Sequence, residues 1–244
     1  MKTNYKELLK GINIDIYADG ADLDEMYKVN EEGYISGFTT NPTLMERAGV
    51  KDYMKFASEA LELVKGLPIS FEVFTDDLDE MVEQAKILNS LGDNVFVKIP
   101  IMNTKGDLSY RIIKELDKQN IKLNITAVFT IEQVDGILEN ISGDIPHIIS
   151  IFAGRVADTG KDPLPIMKES LIKIKNHSED LKLLWASPRE ILNLYQADEM
   201  GCDIITVTPS QLSKLKLRNK DLNEFSRETV LMFYNDATKS GYKI

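Results

Sequence analysis

The sequence predicts a closed (β/α)8 barrel, on three observations. Eight short runs rich in Val, Ile and Phe recur along the 244 residues, and near-continuous apolar character marks strands buried on both faces of a parallel sheet. Segments with apolar residues at helical spacing lie between the runs. Eight alternations of strand and helix favour closure over an open doubly wound sheet, the runner-up, which usually has fewer strands. Barrels run to this length as single units, so residues 1–244 are expected to form one domain, with 221–244 a helical extension.

The first run, Ile14 to Ala18, stops at Asp19 and precedes Ala21-Asp22-Leu23-Asp24-Glu25, an acidic helix start. The second, Ile35 to Phe38, ends in Thr39-Thr40-Asn41-Pro42 before a helix opens at Thr43-Leu44-Met45. The third, Ile69 to Val73, carries Glu72, and the helix after it, Asp79 to Leu91, sets Met81, Val82, Ala85, Leu88 and Leu91 on one stripe. The fourth, Val95 to Ile99, carries Lys98 and leads to a helix over Lys105 to Lys118. Asn124 and Thr126 interrupt the fifth, Leu123 to Val128; Ser150 interrupts the sixth, Ile148 to Phe152, which runs on to Arg155. A helix over Asp162 to Lys175 separates it from the seventh, Leu181 to Ala186, whose end carries Ser187 and Arg189. Arg189 to Met200 is helical and Ile204 to Val207 is the eighth strand. Asp221 to Ala237 is more helix than closure needs; it packs on its own subunit or docks on a neighbour.

Composition excludes several classes. Twenty-nine basic against 39 acidic residues give a formal charge of −10, without a basic tract, so nucleic acid and anionic membranes are unexpected partners. One cysteine, Cys202, forms no internal disulfide, and the start carries no apolar signal core; the expected location is cytoplasmic. His147 and His177 are far apart, no metal-ligand spacing is present and no Gly-rich phosphate loop follows a strand, so neither metal nor organic cofactor is expected.

In a barrel the active site lies at the C-terminal strand ends, where Asp19, Thr39, Asn41, Glu72, Lys98, Asn124, Thr126, Ser150, Arg155, Ser187 and Arg189 collect. Singly, each has a structural alternative. Asp19 could cap the next helix, Asn41-Pro42 is a common turn pair, Thr126 could satisfy its hydroxyl locally, and the arginines could be surface ion pairs. Together they are chemically coherent. A lysine that forms a Schiff base must first lose its proton, which a desolvating pocket with a second cation favours; Arg155 and Arg189 are candidates for that cation. An imine on Lys98 would draw electrons from a ketose so that the C3–C4 bond can break to an enamine. Asp19 is suited to take the C4 hydroxyl proton, Glu72 and Thr126 to hold a water for imine chemistry, and Asn41 and Ser150 to meet sugar hydroxyls. Ser187, Arg189 and Arg155 lie where barrels often bind phosphate.

These residues resemble a family. Ala18-Asp19, Gly37-Phe38-Thr39-Thr40-Asn41-Pro42, Val97-Lys98-Ile99-Pro100, Asn124-Ile125-Thr126, Ser150 to Arg155 and Ala186-Ser187-Pro188-Arg189 are similar to the transaldolases of the small-subunit branch that also holds the fructose-6-phosphate aldolases. The resemblance runs from about Ile14 to Leu215. It implies a Schiff base on Lys98, acid/base work by Asp19 and Glu72, a water held by Thr126, and sugar phosphates as substrates. It also implies contacts from Thr39, Asn41 and Ser150, and phosphate binding by Arg155, Ser187 and Arg189. The family's aldolases tend to have Gln at Glu72 and Tyr at Phe152, whose hydroxyl helps protonate the enamine, so Glu72 and Phe152 are the transferase pattern. The branch forms rings of five, often decamers, so a homo-oligomer is implied. Gly20, Ala153 and Pro188 depart from the family's usual residues; Pro188 restricts Ser187 and suggests a differently shaped phosphate end.

Overall fold

The computed structural model describes residues 4–243. Met1 to Thr3 and Ile244, which the expected single domain includes, lie outside the described residues. A short helix α1 (Tyr5–Leu8) leads to β1 (Asp15–Asp19), α2 (Leu23–Glu32), β2 (Gly37–Thr39), a short α3 (Pro42–Arg47) and α4 (Tyr53–Val64). There follow β3 (Ile69–Glu72), α5 (Leu78–Asn89), β4 (Val95–Pro100), α6 (Tyr110–Lys118), β5 (Leu123–Val128) and α7 (Ile131–Leu138). Then come β6 (Ile148–Ile151), α8 (Ala153–Asp158), α9 (Leu164–His177), β7 (Lys182–Trp185), α10 (Leu192–Glu199) and β8 (Ile204–Val207). Two short turns, α11 (Pro209–Leu212) and a 3-10 segment (Ser213–Leu217), precede the long α12 (Leu222–Ser240).

The eight strands close in sequence order, each parallel to its neighbours, with β1 paired to both β2 and β8. The expected (β/α)8 barrel is the fold. Alternate side chains point in and out, and the burial divides accordingly. Ile16, Phe38, Ile69, Phe71, Val97, Ile99, Leu123, Ile125 and Trp185 join buried helix residues such as Met81, Ile113 and Val134 in the layer between sheet and helices. A separate cluster of Tyr17, Ile148, Leu184 and Ile204, with Phe96 against it, plugs the barrel's interior. Gly37 is required there: a Cβ at this position would lie 2.6 Å from the Tyr17 ring.

Where elements differ from expectation, local hydrogen bonds give the reason. α6 starts at Tyr110, not near Lys105, because the Asn103 side-chain oxygen accepts the N–H groups of Lys105 (3.0 Å) and Asp107 (2.9 Å) and folds that stretch into a turn. α10 starts at Leu192, not Arg189, because the Arg189 N–H donates to Asn193 Oδ1 (2.8 Å). Asp22, not Asp19, caps α2, accepting from the Glu25 N–H at 2.9 Å. Among the described residues, no helix is long and apolar enough to cross a membrane.

Candidate active site

Strand register decides which side chains meet. Glu72 on β3 and Asn124 on β5 are the register partners of Lys98 on β4, and Asp19 is the partner of Thr39. All of these project inward above the apolar plug, into a cleft of about 710 Å³ at the C-terminal strand ends. Lys98 is only 6% exposed. Its Nζ lies 3.0 Å from Glu72 Oε2 and donates to the Thr40 carbonyl at 2.9 Å. An ammonium held this deep needs such partners, since an unpaired buried charge is costly. The charge that meets Lys98 is therefore a carboxylate. The expected arginine cation is partly drawn away, because Arg189 is ion-paired to Asp158.

Asp19 ends β1 and accepts from Thr39 Oγ1 at 2.8 Å; the same hydroxyl also bonds to Thr206 on β8. Burial pushes the Asp19 carboxyl above the usual carboxylate range, only partly offset by the Lys98 charge and the Thr39 hydrogen bond, while nearby Glu72 pushes it further up. Opposite, a hydroxyl–amide chain crosses three strands. Ser150 Oγ donates to Asn124 Oδ1 (2.6 Å), and Asn124 Nδ2 donates to Ser70 Oγ (3.0 Å). Thr126 is buried and lines the same cleft, and Ala127 beside it has a left-handed φ of 56° where the β5–β6 register shifts. Phe152 forms an aromatic wall with Phe129, ring centroids 5.7 Å apart, and the Arg155 guanidinium lies 5.5 Å from the Phe152 centroid.

The transaldolase/fructose-6-phosphate aldolase family model matches residues 16–243. The chain belongs to that family. A probable transaldolase of Thermoplasma volcanium is 34% identical over 86% of this chain and 90% of its own. One from Carboxydothermus hydrogenoformans is 35% identical over 83% and 90%, and one from a Thermoanaerobacter strain 32% over 93% and 99%. The crystal structure of a Burkholderia cenocepacia protein, at 10% identity and a TM-score of 0.56 over 98% of this chain and 97% of that one, shares the fold alone.

Within this family member, all twelve candidate residues line one cleft, but not all are free to act. Asn41 is the N-cap of α3: its side-chain oxygen accepts from the Leu44 N–H at 3.0 Å, which leaves the amide NH2 as the group available to a ligand. Ser187, with φ 59°, and buried Pro188 carry the chain past the cleft, and Arg189 holds Asp158 rather than standing free. Four contributors were missed. Ser70 and Thr206 complete hydrogen-bond chains from strands whose small hydroxyl residues read as ordinary strand formers. Arg47 at the end of α3 and Gln211 in α11 also line the cleft. Gln211 donates to the Pro188 carbonyl at 2.7 Å, tying the turn after β8 to the one after β7. Arg47, a cation in the last turn of a helix, carries no signal in the sequence that sets it apart from an ordinary helix-terminal cation.

Proposed function

We propose that this protein is a transaldolase that moves a dihydroxyacetone unit from a ketose phosphate, such as fructose 6-phosphate or sedoheptulose 7-phosphate, to an aldose phosphate. The observation that carries the reading is the buried Lys98, with a carboxylate at 3.0 Å and a second, Asp19, in the same cleft. Glu72 is the base within reach of the Lys98 proton. The freed amine attacks C2 of the ketose, and Glu72 with Thr126 manages the water lost as carbinolamine becomes imine. The protonated imine accepts the electron pair of the C3–C4 bond while Asp19 removes the C4 hydroxyl proton, giving an aldose and a Lys98-bound enamine. Its raised affinity for protons suits Asp19 to take that proton and return it. Thr39 keeps the carboxylate oriented, Asn41, Ser150 and Asn124 offer polar contacts to the sugar, and Arg155 with Ser187 and Arg189 forms the phosphate end.

What separates transfer from simple cleavage is the fate of the enamine. Phe152 presents a ring and no hydroxyl to the cleft, so the carbon is left unprotonated until an aldehyde acceptor arrives. A lyase releasing free dihydroxyacetone is the alternative, and an unusual anionic sugar is compatible with the altered loop at Pro188. Incubation with fructose 6-phosphate and erythrose 4-phosphate tests the choice. Sedoheptulose 7-phosphate formed only with acceptor present is expected; free dihydroxyacetone formed equally without it would favour the lyase.

We also propose a homo-oligomer. No residue of α12 is buried, and Phe225, Val230, Leu231, Met232, Phe233 and Tyr234 are exposed around it. A helix that turns this many large apolar side chains to solvent is the kind that another surface covers.

A further inference from the structure

Two hydroxyls stand in single file behind Asp19, and the carboxylate sets the direction of their hydrogen bonds. Thr39 Oγ1 donates to Asp19 Oδ1 at 2.8 Å, which spends its one hydrogen. The bond between Thr39 Oγ1 and Thr206 Oγ1 is therefore donated by Thr206. Strand register brings the three together. Thr39 on β2 is the partner of Asp19 on β1, and Thr206 on β8 is the partner of Tyr17, one inward position below Asp19. The Tyr17 ring fills the space over Gly37, the inward position of β2 at that level, and Thr206 meets β2 one step up, at Thr39. Both hydroxyl residues are buried, Thr39 at 3% and Thr206 at 5% exposure. Burial is the largest influence on Asp19 and favours its protonated form; Lys98 on β4 and the Thr39 hydrogen bond oppose that, and Glu72 on β3 adds to it.

We infer that Thr206 is a positioning residue for the base that takes the C4 hydroxyl proton: by donating to Thr39 it fixes where that hydroxyl points and holds Asp19 in its ionised, proton-accepting form. The inference deepens the transaldolase reading and rests on it. Two physical points support it. A hydroxyl that accepts a hydrogen bond becomes a stronger donor, so Thr206 strengthens the bond that Thr39 gives to Asp19. Reversing the chain, so that Asp19 donates to Thr39 and Thr39 to Thr206, would aim the Thr206 hydrogen at no protein acceptor among the described residues. A buried strand threonine ordinarily satisfies its hydroxyl on nearby backbone. Thr206 instead reaches past β1 to a side chain that touches the base.

The test reads C3–C4 cleavage apart from imine formation. Full-length enzyme in excess over fructose 6-phosphate is followed across pH for release of glyceraldehyde 3-phosphate, with borohydride trapping of the Lys98 adduct run beside it. Asp19 acts as a base, so cleavage falls away as the pH drops through its pKa, and weaker support for the ionised form moves that limb up. Thr206→Val keeps the shape and removes the hydroxyl. It is expected to raise the acidic limb by about half a pH unit, a loss of about threefold on that limb, with the adduct still formed. Thr206→Ala carries the same prediction should valine not be tolerated, and Thr206→Ser should restore the wild-type limb. Thr39→Val should raise the limb by about one unit, and Thr206→Val added to it should move it no further, because Thr206 acts only through Thr39. A threonine that merely packs would slow cleavage equally at every pH. An unmoved limb in Thr206→Val, a serine variant that fails to restore it, or a further shift in the double variant would overturn the inference while the adduct leaves the transaldolase reading standing. A wild-type enzyme that forms no adduct would overturn the reading and the inference together.

Discussion

At the scale of single residues, the cleft divides its carboxylates by surroundings. Glu72 is spent on Lys98 at 3.0 Å, whereas Asp19 is held by a hydroxyl and raised by burial. Two carboxyl groups held in different surroundings can serve two proton transfers in one cycle. Asp19→Asn is therefore expected to leave imine formation intact and slow C3–C4 cleavage by roughly 10²–10⁴-fold; an adduct that accumulates without releasing the aldose would show it, and unimpaired cleavage would remove Asp19 from the mechanism. Phe152→Tyr should add a proton donor beside the enamine and raise dihydroxyacetone release relative to transfer. An unchanged product ratio would count against Phe152 as the reason the enamine waits. The charged members of the site were readable in the chain because a Lys or Glu inside an apolar β-branched run is expensive and demands explanation. Ser70 and Thr206 were not, because a small hydroxyl in a strand is ordinary, and only register shows that theirs meet Asn124 and Thr39.

At the scale of elements, the strands were visible as apolar runs and are displaced by only a residue or two, but helix starts depend on caps that periodicity does not see. Asn103 and Asn193 each delay a helix by capturing backbone N–H groups. The opposite end of the barrel carries a pH-sensitive joint that sequence reading passed over. His147, fully buried before β6, accepts from the Leu123 N–H through Nδ1 at 3.0 Å and faces Asp117 through Nε2 at 2.9 Å, which fixes the neutral tautomer. Burial lowers its pKa below the ordinary 6.5, outweighing the Asp117 carboxylate. As pH falls below that ordinary value the unfolded chain takes up a proton that the folded chain refuses, so stability present above it declines toward the depressed folded value. The urea midpoint is expected to drop between about pH 7 and pH 5, and His147→Gln should flatten that slope; an unchanged slope would mean that other groups govern it.

At the scale of the whole molecule, the barrel separates stability from chemistry. One apolar layer lies between sheet and helices, a second plugs the interior, and the polar side chains above the plug are held at the ends of eight strands closed into one barrel. The overall alternation was legible because parallel strands buried on both faces leave unbroken apolar runs. The covering of α12 was not, since the same apolar spacing serves an internal or an external partner. Light scattering is expected to return a multiple of the 27.6 kDa chain mass, with five or ten copies as the family resemblance implies; a mass of one chain would refute the assembly. The central claim, that Lys98 carries the substrate as a Schiff base, is tested most directly by borohydride reduction in the presence of fructose 6-phosphate followed by mass mapping. A dihydroxyacetone-derived adduct on Lys98, absent in a folded Lys98→Ala variant, is predicted; an unmodified Lys98, or an adduct on another lysine that survives the substitution, would contradict it.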